Sequence, residues 1–380
     1  MNERLTQPIV CSLLIGRDPM VAALQQQITE VGHTTGQMVL ISGEAGIGKS
    51  RLVSEARTFA TARGMQVLQG VCFPQDRTCP YAPLLEILRA RFAGHAPAAI
   101  TATVGPFVRE LAPLLPELLP LVATPYTDAP PESEPAQRRL FDALVYCLTP
   151  PTAPANAPAG MLLIVEDLHW CDESSLDFLL YLLRYATNQP LLLLGTYRSE
   201  EVTPTLQQWL AQLDRTRLAQ ELTLPRLQRN EVAAMLVAIL GYGTPVRSEF
   251  LDWMYDLSEG NPFYVEELLK SLIAAGDLFY TDDAWHYKPL AELQLSRSLQ
   301  ATVQQRMGAL TTAAQELLTL AAVIGRRFDF QLLQRLARID EYEMLRRIKE
   351  LITAQMVVEA SPDQFAFRHA LTRQAIYGQL

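Results

Sequence analysis

QMVLISGEAGIGKSRL, residues 37–52, carries two different hydrophobic periods on either side of a glycine-rich turn. Residues 37–42 form a short apolar run of strand type, and from Lys49 to Ala62 the apolar positions return at helical spacing. The turn between them, Gly43, Glu44, Ala45, Gly46, Ile47, Gly48, Lys49 and Ser50, fits G-x-x-x-x-G-K-S. Such a loop suits phosphate for physical reasons. Its glycines let the backbone approach closely, and its N–H groups and the following helix N-terminus form a positive nest. Lys49 reaches the β- and γ-phosphates, and Ser50 offers a hydroxyl to Mg²⁺. The competing reading is an incidental glycine loop before a surface helix; the strand-loop-helix context argues against it.

Outward from this unit, strand-like runs recur at residues 65–71, 161–167, 190–197 and 221–224, separated by helical patterns such as Leu176, Leu179, Leu180 and Leu183. Apolar strands without polar alternation, spaced by helices, predict an α/β fold with a parallel sheet covered on both faces. In open sheets of this kind ligands bind beyond the carboxyl ends of the strands, and two of these runs end in chemistry. The run from Met161 to Val165 delivers Glu166 and Asp167. One acid would hold Mg²⁺, usually through water, and the other would orient or deprotonate an attacking water. The motif alone permits either assignment; by position Glu166 is the metal-side acid and Asp167 the water-side acid. The run from Leu191 ends at Arg198, placed either to touch a γ-phosphate or to pair with Glu200 or Glu201 on the surface.

Composition removes several classes. Of 380 residues 49% are apolar and 19% charged, so the chain has material for a core and is not a disordered or disulfide-scaffold sequence. With 32 Lys and Arg against 41 Asp and Glu there is no global basic field to draw in a polyanion. The five cysteines (Cys11, Cys72, Cys79, Cys147 and Cys171) form no C-x-x-C pair and read as reduced packing residues. Apolar runs fall well short of the roughly 18 residues of a membrane span, and the N-terminus is a poor signal peptide. A soluble cytoplasmic protein is expected.

The strand-helix rhythm breaks at residues 124–135 and 149–160, rich in Pro and Ala, which read as flexible surface loops. After about residue 225 strand signals nearly vanish. The expected organisation is a phosphate-loop domain over residues 1–225, a helical lid over 226–276 and a winged-helix domain over 277–380. The last begins with a possible hairpin in LFYTDDAWHY, continues with helices near 298–307, 313–324, 332–337 and 342–353, and ends with a two-stranded wing (356–359 and 364–368) and a final helix.

Five segments together resemble one family: IGRD at 15–18, GEAGIGKSRL at 43–52, VEDLHWCDESSLDFLLYLLR at 165–184, GTYR at 195–198 and SEGNPFYVEELL at 258–269. The set resembles the STAND class of AAA-related P-loop NTPases. Within that class it looks like the nucleotide-binding module of large LuxR-type transcriptional regulators and of adenylate-cyclase-associated ATPases, from about Ser12 to the end of the chain. The resemblance implies a phosphate-loop domain, a lid and a winged helix closing over ATP or ADP with Mg²⁺, and ADP locking the inactive state. It implies that Gly43 to Ser50, with Arg51, hold the phosphates and that Ile15, Gly16, Arg17 and Pro262 flank adenine. It further implies that Arg198 senses the γ-phosphate and that His369 reaches the β-phosphate of ADP. Lys49, Glu166, Asp167 and Arg198 become the catalytic set, with Ser50 and Glu166 on the metal side. Glu166 stands where many relatives carry Asp, which bears on turnover rather than on binding. Read without the family, His369 is a packing or capping histidine, Pro262 a helix-start residue, and His169 and Trp170 brace a loop.

Two functions follow from different classes. One is a nucleotide-controlled switch with slow ATP hydrolysis, the regulatory core of a bacterial transcriptional regulator or similar multidomain protein. The other is an ordinary turnover enzyme, a kinase or motor-type ATPase. The lid and winged helix favour the switch. Between Arg326 and Lys349 seven basic residues stand against four acids, a modest patch, and the helix near 342–353 spends Met344, Leu345, Ile348, Leu351 and Ile352 on packing. Direct DNA binding is therefore not expected. The chain stops in a helix at Leu380 and resembles a boundary where relatives continue into helical repeats and an output domain. The expected partners are nucleotide, an output or sensor domain outside this chain, and further copies in nucleotide-dependent self-association, with no membrane.

Overall fold

The computed structural model describes residues 9–31, 37–121, 134–149, 160–185, 189–241, 246–281, 284–290, 304, 307–308, 310–361 and 363–378. The chain divides into two compact units, residues 17–225 and a second formed by residues 1–16 with 226–380.

In the first unit five strands, β1 (Gln37–Gly43), β2 (Gln66–Val71), β3 (Met161–Glu166), β4 (Leu191–Arg198) and β5 (Ala219–Thr223), form one sheet in the order β2-β3-β4-β1-β5. Every neighbouring pair is parallel. Flanking them are α1 (Asp18–Glu30), α2 (Lys49–Ala62), α3 (Ala82–Phe92), α4 (Pro97–Val104), α5 (Val108–Leu111), α6 (Glu134–Leu148), α7 (Glu173–Tyr185) and α8 (Pro204–Thr216). The strand order follows the residue chemistry. β3 is buried along its whole length and β1 and β4 along nearly all of theirs, so these three fill the middle; β2 and β5, which carry Gln66, Gln69, Gln220 and Glu221, take the edges. Met38, Leu40, Leu163, Val165, Leu191 and Leu193 join Leu84, Leu88, Leu144, Phe178 and Leu182 of the helices in one apolar cluster. Their alternates Val39, Ile41, Leu162, Ile164, Leu192 and Leu194 are equally buried, so the opposite face is covered as well. Each such side chain contributes about 1.5–3 kcal/mol on leaving water.

The second unit contains α9 (Arg229–Leu240), α10 (Ser248–Ser258), α11 (Pro262–Ala274) and the hairpin β6 (Leu278–Thr281) with β7 (Ala284–Tyr287). There follow α12 (Thr312–Ile324), β8 (Arg327–Asp329), α13 (Phe330–Ala337), α14 (Glu341–Thr353), β9 (Val357–Ser361), β10 (Gln364–Phe367) and α15 (Ala370–Tyr377). The sequence reading anticipates a two-stranded wing. The structure adds β8, paired antiparallel with β10 so that Phe328 stands opposite Phe365, giving a three-stranded sheet in the order β8-β10-β9. This element order is consistent with a lid followed by a winged helix. Residues 9–16 pack with the lid helices: Ile9 and Ile15 lie against the cluster holding Cys11, Val232, Leu236, Phe250 and Leu269, and the Cys11 N–H donates to Glu266 Oε1 at 3.0 Å. The last helix ties both cores of this unit together, since Leu371 belongs to that cluster while Ala375 and Ile376 belong to the one around Leu317, Met344 and Phe367.

The loops read at 124–135 and 149–160 and the helix read at 298–307 fall wholly or largely outside the described residues. Among the described residues no helix is long and apolar enough to cross a membrane.

Candidate functional site

Parallel pairing brings the carboxyl ends of β1, β3 and β4 to one edge of the sheet. In register, Gly43 stands opposite Arg198 and Val165 opposite Gly195, so the glycine loop, the acid pair and the arginine emerge side by side. Ser42 and Thr223, whose hydroxyls are 3.1 Å apart, close the β1-β5 side of this edge.

The loop from Gly43 to Ser50 has the backbone that phosphate binding needs. Gly43, Gly46 and Gly48 have φ of 148°, 77° and 106°, values an L side chain rarely adopts, and a Cβ on Gly48 would meet nothing within 4 Å. That leaves the loop's face at Gly48 open for a ligand. Lys49 opens α2 and is buried, its ammonium donating to Gly43 O and Glu44 O, both at 2.8 Å. Burial lowers its pKa; the carboxylates of Glu200, Asp167 and Glu201 oppose that shift and Arg198 adds to it. Ser50 is exposed on the next position. Arg17 is nearly inaccessible, and its guanidinium donates to Ile47 O at 3.3 Å and to Pro225 O at 2.7 Å, bracing the loop from behind.

The two acids differ in environment. Glu166, the last residue of β3, is buried and accepts a hydrogen bond from Gln69 Nε2 of β2 at 2.7 Å. Asp167 has φ 59°, a left-handed turn that swings its side chain off the strand, and its N–H donates to Thr196 Oγ1 of β4 at 3.0 Å. Burial raises the Asp167 pKa, with Arg198 and Lys49 pulling the other way. His169 follows in a single 3₁₀ turn and is enclosed. Its Nδ1 accepts from the Arg198 N–H at 3.4 Å, which places the ring hydrogen on Nε2, 3.6 Å from Glu201 Oε2 and outside hydrogen-bonding reach. Burial, followed by the nearby Arg198, Lys49 and Arg77 charges, lowers the His169 pKa to about 3, so the imidazole is neutral and its proximity to Asp167 and Glu201 is not ion pairing.

Arg198 is engaged by Glu201, Nη1 to Oε1 at 2.6 Å, and its guanidinium lies 4.8 Å from the centre of the Trp170 ring. Of the two partners open to it on sequence, Glu201 is the one used. The other, Glu200, turns to the glycine loop: its Oε1 accepts from the Ala45 N–H at 2.7 Å. Periodicity and motif contain no trace of this contact, because the partners are 155 residues apart and only the β1-β4 register brings them together. The bracing roles of Gln69 and Thr196 were equally hidden.

The other residues expected at the site lie in the second unit. Ile15 and Gly16 precede the unit boundary, and Gly16 is backed by the Glu231 carboxylate, which a Cβ there would meet at 2.4 Å. Pro262 opens α11 behind Asn261, whose side chain caps the helix by accepting from the Phe263 N–H at 3.1 Å. His369 is buried at the start of α15, its ring 5.0 Å from that of Tyr264 at 61°.

A nucleotide phosphate fits the loop as built: the positive-φ glycines with open space at Gly48, the buried ammonium and a carboxylate already accepting from one loop amide are an anion-binding arrangement. Among the described residues no three His, Cys, Asp or Glu side chains converge to hold a metal unaided. Mg²⁺ is commonly held by one or two protein oxygens together with phosphate oxygens and water, and the Ser50 hydroxyl and Glu166 carboxylate are oxygen donors of that kind.

Comparison with known proteins agrees with this geometry. Residues 13–194 match the family model of an AAA ATPase domain. The chain is 26% identical over 390 aligned positions to an uncharacterized protein of Rhizobium meliloti (strain 1021), an alignment covering 96% of this chain and 35% of the relative. The chain thus spans about a third of the length of the curated relative it matches. Among solved structures, the Aeropyrum pernix ORC2 protein, determined as ADPNP-ADP complexes, superposes with a TM-score of 0.55 at 14% identity, covering 100% of this chain and 98% of that one. The fold is that of the P-loop AAA+ ATPases.

Proposed function

We propose that this chain is a nucleotide-controlled switch: it binds ATP or ADP with Mg²⁺, hydrolyses ATP slowly, and transmits the nucleotide state to an output domain outside this chain. The observation that carries the reading is the juxtaposition, at one sheet edge, of the glycine loop with Lys49, the acids Glu166 and Asp167, and Arg198. Mg²⁺ supplies charge neutralisation and orientation of phosphate oxygens. Ser50 and Glu166 are the groups that would hold it, and Gln69 fixes the Glu166 carboxylate. Lys49 and the loop amides neutralise phosphate charge, Asp167 orients the attacking water, and Arg198 reports the γ-phosphate.

The resemblance to STAND-class regulators supports the finer assignment. Under it Ile15, Gly16, Arg17 and Pro262 flank adenine, His369 contacts the ADP β-phosphate, residues 277–380 are a winged helix serving as a switch element, and the module works in the cytoplasm within a transcriptional regulator. Nucleotide-dependent self-association belongs to the same proposal.

Mass spectrometry of any nucleotide that copurifies, followed by calorimetric titration of ATP and ADP with Mg²⁺, tests the reading. Lys49→Ala should abolish or strongly weaken ATP binding, because the ammonium is the loop's own positive side-chain charge. Wild-type affinity in that variant would remove the loop as the nucleotide site. Steady-state turnover well above about one per second would instead favour the ordinary enzyme, since a state that decays so fast stores no signal.

A further inference from the structure

The two acids that follow Arg198 do different jobs. Glu201 neutralises Arg198, whereas Glu200 reaches the glycine loop and accepts from the Ala45 N–H at 2.7 Å, the length of a charge-assisted hydrogen bond. Its second oxygen, Oε2, accepts from Ser199 Oγ at 3.3 Å. Glu200 is not placed there by a wandering surface loop. Gly43 and Arg198 are in register between β1 and β4, and the Ser199 N–H reaches Gly43 O at 3.4 Å, so the sheet delivers Glu200 beside the loop.

The end of the loop it occupies can be identified from Lys49. The ammonium lies on Gly43 O and Glu44 O, so the loop's positive side-chain charge sits at the Gly43–Ala45 end. In a loop of this sequence the lysine serves the β- and γ-phosphates. Ala45 and its bound carboxylate therefore stand at the terminal-phosphate end, and among the carboxylates acting on the Lys49 ammonium, Glu200 is foremost.

We propose that Glu200 is an internal counter-anion of the phosphate loop and that it sets a preference for nucleoside diphosphate over triphosphate. A third phosphate brings further negative charge to the end of the loop where Glu200 holds the Ala45 amide, so a triphosphate must displace or tolerate this carboxylate. A diphosphate meets less of it. The inference rests on the nucleotide-site reading above and deepens it.

Glu200→Gln and Glu200→Ala test it, with ATP and ADP titrated by calorimetry against wild type and both variants. ATP affinity should rise about tenfold and ADP affinity distinctly less, moving the ratio toward ATP. In the nucleotide-free protein Glu200→Ala should act in the opposite sense, lowering the melting temperature and exposing the Ala45 amide to hydrogen exchange, because the amide loses its acceptor, whereas Glu200→Gln removes the charge and keeps an acceptor oxygen. Equal changes for both nucleotides, or none, would overturn the inference while leaving the nucleotide site intact, as would unaltered exchange at Ala45 in Glu200→Ala. Failure of wild-type protein to bind either nucleotide would overturn both readings.

Discussion

Arg198 and Glu201, three residues apart at the end of β4, form an ion pair of 2.6 Å with both side chains about 30% exposed. Such a half-exposed pair contributes roughly 1 kcal/mol or less to stability. Its importance is in holding an arginine at the sheet edge where the acids and the glycine loop converge. Glu201→Gln should therefore shift the melting temperature by no more than about 4 °C. If Arg198 reports the γ-phosphate, Arg198→Ala should weaken ATP by about tenfold and ADP much less. An unchanged ATP-to-ADP ratio in Arg198→Ala, by calorimetry, would leave the arginine a structural partner of Glu201 and Trp170.

Asp167 carries its charge at a cost. Burial raises its pKa in the folded chain, so over the pH range between the unfolded and folded values the native state holds a proton that the unfolded state has lost. Stability from this group is present at low pH and is lost as pH rises through the folded pKa. Asp167→Asn, which also suits the left-handed φ of 59°, should raise the melting temperature at pH 7 by on the order of a few degrees. The same change should lower ATP turnover at least about tenfold with Mg·ATP affinity kept within several-fold. Loss of affinity in this variant, with Glu166→Gln sparing affinity and stopping turnover, would exchange the roles of the two acids.

His169 behaves in the opposite sense. Its folded pKa of about 3 lies below the ordinary value of about 6.5, so between those values the unfolded chain takes up a proton that the native imidazole refuses. Stability present above pH 6.5 is lost as pH falls toward 3. His169→Asn keeps an acceptor near the position of Nδ1 but cannot titrate. The melting temperature difference between wild type and this variant should shrink as pH is lowered from 7 to 5. A difference independent of pH would mean that the ring titrates like an exposed histidine.

The sheet was readable in the sequence because β1, β3 and β4 are buried on both faces, which forces runs such as MLLIVE and LLLLG with no polar alternation. The phosphate loop was readable because its glycine positions follow from backbone geometry within a single turn. β8 was not: three residues starting with Arg327 carry no strand signal, and Phe328 is held there by Phe365 and Phe367, which lie far along the chain. Glu200 was hidden for the same reason, since a carboxylate on a distant amide is a consequence of register. For Arg17 the resemblance implies an adenine-side place; the hydrogen bonds from its guanidinium to Ile47 O and Pro225 O are contacts that no residue spacing reveals.

His369 is enclosed beside Tyr264 at the start of α15, and its role at the nucleotide is a proposal that a pair of titrations can decide. Removing one charge-assisted hydrogen bond costs on the order of 1.5–3 kcal/mol. His369→Ala should then weaken ADP by roughly ten- to a hundredfold and ATP by less, because only a differential affinity shifts a two-state equilibrium. Equal losses, or none, return His369 to packing against Tyr264.

Immediately after His369, the Ala370 N–H donates to Glu259 Oε1 at 2.9 Å, and that carboxylate, largely buried, also receives Arg326 Nη2 at 2.6 Å and Arg226 on its other oxygen. Glu259 thus joins the end of α10 to the turn before β8 and to the start of α15, within one compact unit. It does so from a left-handed backbone, φ 51°, next to Gly260 at φ 75°, where a Cβ would come within 2.0 Å of Leu227 O. Two substitutions separate the side chain from the backbone. Glu259→Gly loses the carboxylate but relaxes the backbone, whereas Glu259→Ala loses the carboxylate and keeps the strained φ, so Ala should be less stable than Gly by about 0.5–1 kcal/mol. Both should fall below wild type by roughly 2–3 kcal/mol, since the Ala370 amide and two guanidinium groups lose their shared acceptor. Hydrogen exchange should localise the loss to residues 370–377. Unchanged protection there would mean that the apolar contacts of Leu371, Ala375 and Ile376 hold the last helix without the carboxylate, and that Glu259 is conserving only its own turn.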